Sequence, residues 1–208
     1  MLLTKHKFLI FISIFFLAFF LRFYQLGSNP PSLDWDEASL GYNAYSILKT
    51  GMDEYGNVLP LSIRSFDDYK PPLYVYLTIP SIAVFGLSEF AIRFPSAFLG
   101  LLTVVVTYFF VRESFSEFGH GKRESIALFS MFFMAISPWS LQFSRAAFEG
   151  NIGLFFLVTG LYLFLVGIKN GKLLSCFTPF PKSRKKVPLF SIFNFLFFII
   201  FSLFLLLS

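Results

Sequence analysis

Two segments constrain this chain before anything else: FLIFISIFFLAFFLRFYQL at 8–26 and LFSIFNFLFFIIFSLFLLL at 189–207 are unbroken, phenylalanine-rich apolar runs. An α-helix rises about 1.5 Å per residue, so each run is long enough to cross a hydrocarbon core of about 30 Å. Further apolar runs lie at 73–87, 96–112, 126–143 and 152–168. With 56% hydrophobic and only 14% charged residues, the chain has far more apolar surface than a soluble core needs. The expected fold is an all-α polytopic membrane protein, with a bilayer as solvent and partner.

The flanking charges refine this. Lys5 and Lys7 precede the first run as in a secretory signal, but RFYQLGSNPPS after it has no small-x-small cleavage site. The run is therefore expected to remain as a signal anchor. A net charge of +5 is common among nucleic-acid binders, yet the bases sit in loops between apolar runs rather than on one soluble face, so no nucleic-acid partner is expected. The single cysteine, Cys176, has no partner for an intrachain disulfide and reads as an incidental thiol. His6 and His120 lack companions at metal-ligand spacing, so no zinc site is read.

Topology follows from the positive residues, which favour the cytoplasmic side of short loops. The run at 73–87 is short and holds Pro80 in its middle. If it does not cross, the N-terminus, the 112–125 loop and the 169–188 loop, which together hold eleven Lys and Arg residues, all face the cytoplasm. If it crosses, nine of those bases move outside. The expectation is thus about five spans (8–26, 96–112, 126–143, 152–168, 189–207) with a cytoplasmic N-terminus, joined by a long outer loop at 27–95 and a basic cytoplasmic loop at 169–188. Juxtamembrane helices are expected at 35–50 and 73–87 of the outer loop, and SRAAFEGN (144–151) shares that outer face of the plasma membrane.

The outer loop is acidic: seven acids against three bases lie between residues 27 and 72. In LDWDEASLGYNAYSILKTG (33–51), Asp34 fits an N-cap and Glu37 completes a capping box, while Leu40, Ala44, Ile47 and Leu48 recur at helical spacing up to Gly51. Capping explains Asp34 and Glu37 but only tolerates Asp36, which leaves a carboxylate for a lipid-borne substrate. In YKPPLY (69–74), Lys70 is either a phosphate-binding cation or an interfacial lysine. Asp67 and Asp68 read as turn residues, Trp139 as an interfacial anchor and Arg93 as the start of a span. In SPWSLQFSRAAFEGN (137–151), Arg145 and Glu149 are four apart, suited to a simple helical pair or to a substrate phosphate and hydroxyl.

Taken in order, DWDEASLGYNA, YKPPLY, FGLSEFAIRFPSAFLGLLTV and SPWSLQFSRAAFEGN resemble the N-terminal part of the C-type glycosyltransferases of family 39. That family includes protein O-mannosyltransferases and the lipid A aminoarabinose transferase, and the resemblance covers about residues 8–168. It implies a GT-C-like N-terminal transmembrane module. The implied activity is inverting transfer of a sugar, a hexose or mannose, from a polyprenyl-phosphate donor to a hydroxyl of a protein, lipid or glycan acceptor. By resemblance, Asp36 and Glu37 are the catalytic acids, with Asp36 as the base, and Lys70, Arg145 and Glu149 bind substrate, although an Asp often stands where this chain has Glu149. The acids are also candidates for a divalent metal, but no ligand set is specific enough to assert one.

Family members run to several hundred residues, so the chain is expected to be truncated at its C-terminus. The alternative is a non-catalytic or truncated membrane protein, or a transporter. A transporter should carry ionisable residues at mid-membrane depth, whereas the middles of the last four spans carry none.

Overall fold

The computed structural model describes residues 5–65 and 68–169. Its helices are α1 (Lys5–Phe23), α2 (Trp35–Thr50), α3 (Leu73–Phe85), α4 (Glu89–Ser114), α5 (His120–Ile136), α6 (Pro138–Arg145) and α7 (Glu149–Lys169), with strands β1 (Ile63–Ser65) and β2 (Asp68–Lys70) between α2 and α3. The run at 189–207, the basic segment after Lys169, Cys176 and Asp67 lie outside the described residues.

Helix α4 is the axis, packing against α1, α3, α5, α6 and α7. Among the described residues three helices (α1, α4 and α7) are long and apolar enough to cross a membrane, and α5 with α6 makes a fourth if the bent pair counts as one span. A helix satisfies its backbone hydrogen bonds internally, which hydrocarbon demands. Helix α3 has 13 residues, about 20 Å of rise, which is short of the hydrocarbon thickness.

Where the sequence reading ran one span from 126 to 143, the chain forms two helices, with α5 starting at His120 and α6 turning from it by 55°. Pro138 is the cause: it supplies no N–H and pushes the preceding residue out of the helical region, and Ser137 has φ −55° and ψ 121°. The carbonyls freed at the end of α5 are met by buried Arg22 of α1, which donates to Ala135 O (3.1 Å), Met134 O (3.3 Å) and Ser140 Oγ (2.9 Å). A cation at a helix C-terminus also opposes the negative end of the helix dipole.

Two apolar cores result. One, at the end of the bundle near α2 and α3, joins Leu40, Ala44, Ile47, Tyr74, Ile92 and Ile152. The other, toward the opposite end, joins Ile14, Val104, Tyr108, Leu128 and Met131 of α1, α4 and α5. At that opposite end Glu124 is fully buried, accepting from Tyr108 Oη (2.5 Å) and Arg112 Nε (2.8 Å), with His120 3.7 Å away.

Helix α2 starts and stops as its sequence dictates. The Asp34–Glu37 capping box forms, and Gly51 closes the helix in the left-handed region at φ 75°. Leu40, Ala44 and Ile47 are buried, while Leu48 stays partly exposed. The β1–β2 hairpin was not anticipated: Ile63 pairs with Lys70, Arg64 with Tyr69 and Ser65 with Asp68. Its alternation is brief, with Ile63 and Ser65 buried and Arg64 exposed.

Close packing around α4 relies on a small residue. A methyl group added at Gly100 would collide with the Ser144 side chain, lying 2.8 Å from its Cβ, and would crowd Asn151. Asn151 in turn donates to Ser96 O (2.8 Å) and Ser96 Oγ (3.0 Å), joining α7 to α4. Gly100→Ala is expected to lose about 1–3 kcal/mol, the usual cost of overpacking, read as a lower unfolding temperature of the detergent-solubilised protein.

Candidate functional site

The candidate site lies at the end of the bundle where α2, β2, the start of α4 and the α6–α7 turn converge. Its first element is the start of α2. The capping box fixes the first turn, with Asp34 N donating to Glu37 Oε2 (3.1 Å) and Trp35 N to Asp34 Oδ1 (2.9 Å). That turn sends two adjacent carboxylates in different directions.

Glu37 points inward. Its Oε1 accepts from Arg93 Nε (3.0 Å) and from the Ala147 amide (2.8 Å), and its Oε2 accepts from Arg93 Nη2 (2.9 Å) as well as from Asp34 N. The side chains are 4% and 0% exposed, so this is a buried, two-pronged ion pair with every carboxylate oxygen engaged. Arg93 also donates to Leu26 O (3.2 Å), Pro30 O (2.9 Å) and Ser32 O (2.7 Å). One acid and one base therefore bind the α1–α2 loop, the start of α2, α4 and the α6–α7 turn into a single frame. The sequence reading gave Glu37 a catalytic place beside Asp36 and treated Arg93 as a span marker; in the structure the two side chains are buried against each other. A charge in an apolar helix needs a partner when buried, and that was the signal for Arg93 available in the sequence.

Asp36 points the other way, with a third of its side chain exposed, and its Oδ1 meets Lys70 Nζ at 2.8 Å. Lys70 is only 11% exposed; it is held at the end of β2 by the hairpin rather than snorkelling into water. The two motifs DWDE and YKPP, more than thirty residues apart in sequence, thus meet at one ion pair.

Glu149 joins them from the first turn of α7. It lies within electrostatic reach of Lys70, Asp36 and Asp68, and its Oε1 is buried with no hydrogen-bond partner. An unengaged buried carboxylate oxygen costs free energy unless a hydrogen-bond donor fills its coordination. Arg145 does not pair with Glu149, because α6 ends at Arg145 and the chain turns before α7 begins. Its guanidinium donates instead to Leu21 O (2.8 Å) and Asn29 O (2.8 Å), clasping the end of α1. Asp68 caps its own strand start, accepting from Tyr69 N (2.9 Å), and Trp139 is 74% exposed. Among the described residues no group of three or more His, Cys, Asp or Glu is placed to hold a metal ion.

The family model described as dolichyl-phosphate-mannose-protein mannosyltransferase matches residues 12–178. An "Uncharacterized protein" of Aquifex aeolicus (strain VF5) is 28% identical over 143 residues, covering 69% of this chain and 26% of that protein. The "Putative mannosyltransferase YkcB" of Bacillus subtilis (strain 168) is 25% identical over 105 residues, covering 50% of this chain and 14% of that protein. The chain therefore spans about a quarter and about a seventh of the length of these relatives. No solved structure matches it.

Proposed function

This chain belongs to the dolichyl-phosphate-mannose-protein mannosyltransferase family, and from that premise we propose that it forms the donor-binding and base-bearing part of a membrane mannosyltransferase. The donor is a polyprenyl-phosphate mannose, the acceptor is a hydroxyl on a protein, lipid or glycan, and the site faces outward across the cell membrane. The observation that carries this reading is the Asp36–Lys70 ion pair, with the partnerless Glu149 oxygen within electrostatic reach of both.

In the resting arrangement Lys70 neutralises Asp36. When donor phosphate binds, it competes for the Lys70 ammonium, a compact point charge with three donors, and Asp36 is released toward the acceptor. The acceptor hydroxyl gives its proton to Asp36 as its oxygen attacks the anomeric carbon. The bond from that carbon to the phosphate oxygen breaks on the opposite face, its electron pair leaving with polyprenyl phosphate. Attack and departure on opposite faces invert the anomeric centre. Lys70 stabilises the charge that develops on the leaving phosphate, and Glu149 orients a hydroxyl through its open oxygen. Arg145, held by carbonyls of α1 and the loop after it, keeps the α1–α2 loop closed over the frame instead of binding phosphate.

The distribution of charge supports an enzyme over a transporter. Among the described helices, Arg22, Arg93, Arg112, Glu124, Glu149 and Lys169 all lie within the first or last turns of their helices or near them, and none sits halfway along a span. The test is mannose transfer from polyprenyl-phosphate mannose by membranes holding the native protein. Lys70→Met is expected to raise the donor KM roughly tenfold or more, the worth of a hydrogen bond to a charged group; an unchanged donor KM would remove Lys70 from the phosphate site.

A further inference from the structure

The end of the bundle opposite the candidate site carries a second feature, a groove of about 480 Å³ between α1 and α5. This lies within the ~300–1,000 Å³ range of small-ligand sites. Its walls are mainly hydrocarbon, from Ile10, Ile14, Leu128, Phe129 and Phe132, with Ser13 and Ser125 among them. Phe129 is 63% exposed, so the groove opens sideways, toward where lipid would lie around a bundle of spanning helices.

One end of the groove is cationic. Lys7 lines it and donates to the Gly121 carbonyl in the first turn of α5 (2.7 Å), which leaves two of its three ammonium protons for another acceptor. Lys5 lies two residues before Lys7, and Lys122 follows Gly121 directly. Gly119, the residue before α5, gives the helix no side-chain cap, so the positive end of its dipole lies close to the Lys7–Gly121 contact. The walls suit an acyl chain and the rim suits a phosphate.

We propose that this groove binds an anionic phospholipid, its acyl chain along α1 and α5 and its phosphate at Lys7 and the first turn of α5. Basic sites between membrane helices are suited to such headgroups. The position, at the end of the bundle away from Asp36 and Lys70, separates this lipid from the polyprenyl donor.

Native mass spectrometry of the protein in detergent, titrated with dioleoyl phosphatidylglycerol or dioleoyl phosphatidylcholine, tests this. Phosphatidylglycerol is expected to bind at a concentration at least about tenfold lower, since each nearby basic residue strengthens attraction to anionic lipid. Lys7→Gln should abolish most of that preference, and Ser13→Phe, which fills the groove, should weaken both lipids. Should Ser13→Phe fail to fold, Lys7→Gln at the groove's end still decides. Equal binding of the two lipids by the wild type, or an unaltered preference in Lys7→Gln, would overturn the proposal. So would undiminished phosphatidylglycerol binding by a folded Ser13→Phe, which would mean the lipid sits elsewhere. Displacement of phosphatidylglycerol by an equal concentration of undecaprenyl phosphate would overturn it in favour of a carrier site.

Discussion

Arg93→Met is expected to lower stability by about 3–5 kcal/mol, the cost of breaking a buried ion pair from one side. The methionine fills much of the same volume, so the loss comes from charge and hydrogen bonding rather than a cavity. Glu37 would keep its carboxylate at 4% exposure with no counter-charge, and the Leu26, Pro30 and Ser32 carbonyls would lose their donors. Arg93→Lys should recover little, because a point charge cannot grip a carboxylate with two prongs while also reaching three carbonyls. The measurement is thermal unfolding of the detergent-solubilised protein, together with limited proteolysis of the segment 27–72, which should become cleavable. A variant as stable and as protease-resistant as the wild type would mean that the frame does not depend on this pair.

Asp36→Asn is expected to leave stability nearly intact and to reduce sugar transfer by about 10²–10⁴, the usual contribution of a positioned general base. The amide has nearly the size of the carboxylate but takes no proton from an attacking hydroxyl. What it gives up in the fold is small: the asparagine keeps an amide oxygen that accepts from the largely buried Lys70 ammonium, and Asp36 is a third exposed, so the loss is on the order of 1 kcal/mol. The two acids of one sequence motif should therefore fail in different ways. Initial rates of mannose transfer, set beside unfolding temperatures, separate the cases. Transfer within a few-fold of wild type would remove Asp36 as the base.

Much of this was legible in the sequence. Apolar runs of spanning length announced a polytopic helical protein because hydrocarbon admits few other structures. The spacing of Asp34, Glu37 and Gly51 announced both ends of α2, since caps act over three or four neighbouring residues. What escaped was what depends on residues far apart. The Glu37–Arg93 pair joins positions 56 apart, and the bond from the Ala147 amide to Glu37 spans 110, so nothing local distinguished the acid that turns inward from the one that turns outward. The Arg145–Glu149 spacing of four suggested a helical pair only on the assumption that one helix covered both, and the turn between α6 and α7 breaks that assumption. Pro138 was visible, but whether a proline bends a span or merely sits in it depends on what receives the freed carbonyls, here Arg22 from another helix.

The most direct test of this division of labour is a side-by-side comparison of Asp36→Asn and Glu37→Gln in membranes holding the native protein, reading both mannose transfer and unfolding temperature. The account predicts that Asp36→Asn loses transfer while melting like the wild type, and that Glu37→Gln melts markedly lower. Full transfer by a stable Asp36→Asn protein, or a Glu37→Gln protein that melts normally, would contradict it.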